Sequence, residues 1–219
     1  MLENEELNQN VPEEVQEHAM DGNTDIKKTG KKKEDWRKTL LKDLRDLLVI
    51  IASFMLVYVL FFRAVVVVGD SMNDTLVNGD RLLLISRMIY RNPQQGDIIV
   101  ASKDSFRDGE PIVKRVIATE GQVVDIDFDT GTVYVNGQAL QEDYISTPTI
   151  SHSSVKFPLT VPEGCVFVLG DNRMNSLDSR SSQVGLIDER EILGKVIFLL
   201  IPGSDGSHGF ELGRIGLVN

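Results

Sequence analysis

The sequence predicts a mainly β protein, an antiparallel β-sheet core preceded by one N-terminal transmembrane helix, and three observations predict it. Short apolar runs rich in Val and Ile succeed one another from residue 65 onward. Pairs such as Asn78-Gly79, Asp108-Gly109 and Asn136-Gly137 punctuate them, as turns between antiparallel strands require. Ahead of them, residues 47–62 form sixteen consecutive uncharged positions behind a basic segment.

Taken in chain order, residues 1–26 carry eight acids and no Lys or Arg, and hold too few apolar residues for a core. They read as a disordered acidic tail with room for a short helix near Pro12 to Ala19. Residues 27–46 reverse the sign, with nine Lys or Arg and Trp36 among them, as at a membrane interface. The uncharged stretch 47–62 is slightly short of the roughly 20 residues that a span needs. Arg63 follows and can extend its charge to the interface, and the valines beyond it carry the expected anchor to residue 68. A cleaved export signal has a shorter apolar region and a small-x-small site just after it, which this sequence lacks. The basic flank places the N-terminus in the cytoplasm and residues 69–219 outside the cell membrane.

In residues 69–219 and just before them, strands are expected at Val65–Val68, Arg81–Ser86, Asp97–Ala101, Ile112–Ile117, Val123–Phe128, Thr132–Val135, Val166–Leu169 and Lys195–Ile201. Val133 to Gly137 predicts a hairpin, because Asn-Gly accepts the positive φ angles of a type I′ turn. No long helix is expected after residue 69.

Composition sets limits. A net charge of -10 argues against a nucleic-acid partner, since phosphate binding calls for surplus Lys and Arg. His18, His152 and His208 are scattered without ligand spacing, so no histidine metal site is expected. Cys165 lies in an apolar run and reads as a small buried hydrophobe.

Three segments carry chemistry. Gly69 to Leu76 exposes Ser71 at the end of the valine run, a position that a simple turn-capping serine also occupies. In Pro111 to Ile117, strand alternation puts Lys114 on one face with Ile112 and Val116, and Arg115 on the other. A lysine on an apolar face either reaches the edge or is desolvated. Desolvation lowers its pKa towards neutrality, and a neutral amine beside a hydroxyl is a competent general base. The third segment, Gly170 to Arg180, is denser in Asp, Asn, Ser and Arg than a turn requires and reads as a side-chain network.

These segments, in this order behind an anchor, resemble the bacterial type I signal peptidases, in the single-anchor form of Gram-positive bacteria. Ser71-Met72-Asn73-Asp74-Thr75-Leu76 matches the family's serine box. Gly96 to Val100, Lys114 to Ile117 and the whole of Gly170 to Arg180 match three more. The resemblance implies a membrane-bound serine endopeptidase on a β-rich core of two antiparallel sheets. It would remove signal peptides from secretory preproteins after small-x-small sites. It implies that Ser71 attacks the scissile carbonyl and that Lys114 takes its proton and later activates water. Ser176 would hydrogen-bond and orient the lysine. Asp178 and Arg180 would pair to hold the loop that Gly170 opens, and the Ser71 N–H would serve the oxyanion. Secretory preproteins and membrane lipid are the expected partners, and no cofactor or metal is implied.

The sequence departs from the family at three points. Asp74 stands where the family has proline, Ala118 to Gln122 replace its usual turn after the lysine box, and Gly69 stands where some relatives carry a serine. A catalytically weak paralogue that binds preproteins or another peptidase without cutting them is the competing reading, supported by the first two. A Ser-Lys self-cleaving repressor is a third, but residues 1–46 do not resemble a helix-turn-helix domain.

Overall fold

The computed structural model describes residues 24–104, 106–151, 154–204 and 211–218. Most of the expected acidic tail, its short helix near residues 12–19 and all three histidines lie outside the described residues. The chain divides into two compact units, Met1–Met55 and Leu56–Asn219.

Helix α1 runs from Thr24 to Phe61. It therefore begins inside the segment assigned to the tail and takes in the whole basic stretch, because Lys, Arg, Glu and Leu are all good helix formers. Its part Asp35–Phe61 is long and apolar enough to cross a membrane, and none of its most apolar 18-residue window is buried. The expected anchor bound at residue 68 is corrected. The helix stops at Phe61, and Phe62–Val66 form strand β1, paired antiparallel with β2 (Arg81–Ser86) from Phe62↔Ile85 to Val66↔Arg81. Aromatic and β-branched residues fit that pleated surface better than another helical turn.

The remaining strands are β3 (Ile98–Ala101), β4 (Ile112–Ala118), β5 (Val123–Asp127), β6 (Thr132–Val135), β7 (Gln138–Ala139), β8 (Leu159–Thr160), β9 (Cys165–Leu169), β10 (Ile187–Asp188), β11 (Ile192–Ile201) and β12 (Gly216–Leu217). They form two antiparallel sheets. One has eight strands in the order β1-β2-β11-β3-β4-β9-β10, with β12 on β11; the other has four in the order β7-β6-β5-β8. The mainly β, antiparallel architecture is thus as the alternating runs predicted. The predicted hairpin joins β6 to β7, with Asn136 at φ 52° and Gly137 at φ 76°.

Three apolar clusters fill the β unit. The first joins Met72, Leu76, Leu82, Leu84, Val100 and Val196 around β2, β3 and β11. The second gathers Ile99, Val116, Val168, Ile187 and Ile192. The third joins Ile117, Phe167 and Leu169 of the large sheet to Val124, Ile126, Val133 and Val135 of the small one. Strand β4 is flanked by β3 and β9, and its last five residues, Lys114 to Ala118, are buried. That burial is what matters for the site.

Candidate active site

The turn between β1 and β2 carries Ser71. Its neighbours Met72 and Leu76 are each 1% exposed and sit in the first apolar cluster, which pins the turn from below. Backbone bonds from Asn73 N to the Asp70 carbonyl and from Leu76 N to the Met72 carbonyl shape it. The loop after β9 grips the same turn, Asn172 donating from its amide nitrogen to the Ser71 carbonyl at 3.1 Å and from Nδ2 to the Asp70 carbonyl at 3.0 Å.

Lys114 reaches this serine from β4. It is 4% exposed, and its Nζ donates to Ser71 Oγ at 2.7 Å and to the Val113 carbonyl at 2.9 Å. The two residues are 43 positions apart in sequence. Of the two sequence alternatives, snorkelling at an edge or desolvation, the second is observed. Burial disfavours the charged form of an amine. A hydroxyl at this distance can pass its proton to that amine.

Gly170 and Ser176 lie against the Ser71 backbone, and Asp178 and Arg180 bind the loop that carries them. The Gly170 N–H donates to Asp178 Oδ2 at 3.1 Å, and Asp178 pairs with Arg180 at 2.8 Å, both residues buried. Arg180 also donates to the carbonyl of Arg173 at 2.9 Å. A Cβ at position 170 would overlap Ser176 Oγ and the Ser71 carbonyl oxygen, so only glycine allows this approach. The hydrogen bond expected between Ser176 and the lysine is not made. Ser176 Oγ is buried without a hydrogen-bond partner, set against Gly170, while Nζ is turned to Ser71 and to the carbonyl of its own neighbour.

Residues 40–201 match the family model described as Signal peptidase, peptidase S26. This chain belongs to the signal peptidase family. Signal peptidase I of Bacillus licheniformis is 32% identical over 182 residues, covering 80% of this chain and 95% of that protein. Signal peptidase I T of Bacillus subtilis is 33% identical over 188 residues, covering 82% and 93%. A solved signal peptidase I from Enterococcus faecalis is 34% identical with a TM-score of 0.40, covering 48% of this chain and 97% of its own. The chain is accordingly a serine peptidase, a hydrolase of the signal-peptide-removing family.

In this signal peptidase the support of the site is wider than its sequence suggested. Arg115 points away from Lys114, as alternation requires, yet it is only 3% exposed. Its Nε and Nη2 form a fork on Asp171 at 2.9 and 2.8 Å, and Asp171 also accepts from Thr75 Oγ1 at 2.6 Å. One carboxylate therefore joins the serine turn, the lysine strand and the loop after β9. The Tyr144 ring lies 4.0 Å from the Arg115 guanidinium, and burial, then the Glu142 charge, pushes the Tyr144 hydroxyl above its ordinary range. Arg173 is fully buried, donating to Glu142 at 2.9 Å, to Thr149 and to the Gly170 carbonyl. Burial alone would lower its pKa, but the Glu142 carboxylate outweighs that and holds it up. An Arg beside the lysine and an Asp directly after Gly170 were the available signals; Glu142 and Tyr144, in an irregular segment, offered none.

The departures from the family pattern are accommodated locally. Asp74 is exposed. Thr119 N donates to Gln122 Oε1 at 2.8 Å, which closes the turn after the lysine box, and Glu120 accepts from Gly164 N at 2.9 Å. Gly69 donates to Asn78 Oδ1 at 3.0 Å.

Proposed function

We propose that this chain is a membrane-anchored signal peptidase that cuts secretory preproteins with a Ser71–Lys114 dyad. The observation that carries this reading is the 2.7 Å contact between Lys114 Nζ and Ser71 Oγ, with the lysine 4% exposed. Lys114, neutral in its dry site, takes the Ser71 proton as Oγ attacks the scissile carbonyl. The tetrahedral intermediate collapses as the lysine returns that proton to the leaving amine, freeing the mature protein and leaving the signal peptide esterified to Ser71. Lys114 then deprotonates a water that hydrolyses the ester. The Ser71 N–H donates to the oxyanion, a contribution of about 3–4 kcal/mol per donor in other serine proteases. Ser176 orients the amine when Nζ turns from Val113, and Asp178, Arg180 and Gly170 hold its loop. Small residues at the first and third positions before the cut select the substrate. Helix α1 crosses the cell membrane with its basic end in the cytoplasm, and the β unit works outside it. Ser71 follows Arg63 by eight residues, at most about 26–29 Å of extended chain, so the nucleophile stays near the membrane surface.

The test is cleavage of one model preprotein by the native chain and by Ser71→Ala and Lys114→Ala, each checked for membrane insertion. Loss of processing in both is the expected result; wild-type processing by either excludes the dyad. Lys114→Arg fails as well, because guanidinium keeps its proton.

A further inference from the structure

A cavity of about 590 Å³ opens on the β unit away from Ser71 and Lys114. Arg63, Arg87, Arg91 and Arg190 line it, with Glu189 as the carboxylate in its wall. Arg190 is held by Asp188 at its exposed edge, and Arg87 donates to the Arg190 carbonyl at 2.7 Å, so these two are fixed in place. Arg63 and Arg91 are exposed. Met88, also in the lining, is 58% exposed, and its neighbour Ile89 is 53% exposed.

Two features suggest what such a cavity takes. The chain as a whole carries a net charge of -10, yet four arginines line this one cavity, Arg190 among them forked on Asp188. Guanidinium presents a planar fork that suits phosphate oxygens. Arg63 stands two residues beyond the end of α1, so chain length alone holds this wall of the cavity within about 7 Å of the helix terminus. An aqueous anion would need only the arginines; the exposed Met88 and Ile89 at the same place suit acyl chain or interface.

We propose that this cavity binds the phosphodiester headgroup of an anionic phospholipid, docking the β unit on the membrane surface. The proposal rests on the reading of α1 as the membrane anchor. The arginines engage the phosphate, Met88 and Ile89 enter the interface, and the otherwise acidic β unit gains one face that an anionic leaflet attracts rather than repels.

The test uses the full chain with Cys165→Ser and Ile89→Cys, carrying a bimane label at position 89, reconstituted in nanodiscs. Insertion is checked first by resistance to carbonate extraction. Quenching is then compared between headgroup-nitroxide phosphatidylglycerol and headgroup-nitroxide phosphatidylcholine at equal mole fraction. The expected result is preferential quenching by phosphatidylglycerol, with the preference falling about fivefold for each of Arg63→Gln and Arg91→Gln. Lys156→Gln, exposed and outside the lining, leaves it unchanged. Equal quenching by both lipids in an inserted chain overturns the proposal and spares the anchor reading. Loss of preference with Lys156→Gln as large as with the arginine variants also overturns it, as a diffuse charge effect. Soluble glycerol phosphate at millimolar level that abolishes the preference makes this a small-anion site and overturns the lipid assignment. A chain that does not insert removes the anchor reading and the proposal together.

Discussion

At the scale of residues, the site holds an ion pair and a lysine amine out of water by different means. Arg115 and Asp171, 3% and 0% exposed, compensate each other with two charge-assisted bonds. Removing one partner strands the other, which costs about 3–5 kcal/mol. Asp171→Ala is therefore expected to destabilise the protein by that amount, seen as a lowered melting temperature in detergent, and to lose cleavage with it. Lys114 is the opposite case: burying an amine costs stability rather than adding it, and on the proposed mechanism its worth lies in proton transfer. Lys114→Met, similar in volume, is expected to abolish cleavage while the melting temperature stays level or rises. A large drop would mean that the lysine is there for the fold. Gly170→Ala drives a methyl group into Ser176 and the Ser71 carbonyl, and overpacking of this kind costs about 1–3 kcal/mol. On the proposed mechanism its cleavage rate is expected to fall further than its stability, because one displaced group is the backbone of Ser71 itself.

At the scale of elements, the sequence disclosed what periodicity and turn chemistry encode. The runs at residues 81–86, 112–117 and 132–135 became β2, β4 and β6 within a residue, since each is a short apolar-rich run with clear turn signals near its ends. Strands β7, β8, β10 and β12 have two residues each and too little pattern to read. Arg115 was legible in direction but not in burial: alternation gives two faces, and only the fold says that both faces of β4 are covered. The start of α1 was missed because a charged run has no apolar signature, although its residues favour helix. Cys165, at the start of β9, was expected to be buried; it is half-buried and against the third cluster. Desolvation first, then the charges of Asp188 and Glu191, raises its thiol pKa. The thiolate is the reactive form. At pH 8, DTNB is expected to label the folded chain markedly more slowly than the same chain in guanidinium chloride, and equal rates would contradict this environment.

At the scale of the whole molecule, the boundary between anchor and β unit has measurable content. Val67 is 3% exposed in the first cluster, and Val65 packs on it. A chain beginning at Phe62 keeps β1 and is expected to melt within a few degrees of the full chain in detergent. One beginning at Gly69 loses β1, uncovers the edge of β2 and forfeits about 3 kcal/mol of apolar burial, a drop of roughly 10 °C for a unit this size. Equal melting temperatures would return the boundary to residue 68. Finally, Asp171 ties together three stretches of chain far apart in sequence, through Thr75, Arg115 and its own loop. Each has to arrive before the others are held. On the proposed mechanism, a nascent polypeptide emerging from the membrane carries no armed nucleophile. It becomes competent only once the loop after β9 has joined the serine turn to the lysine strand.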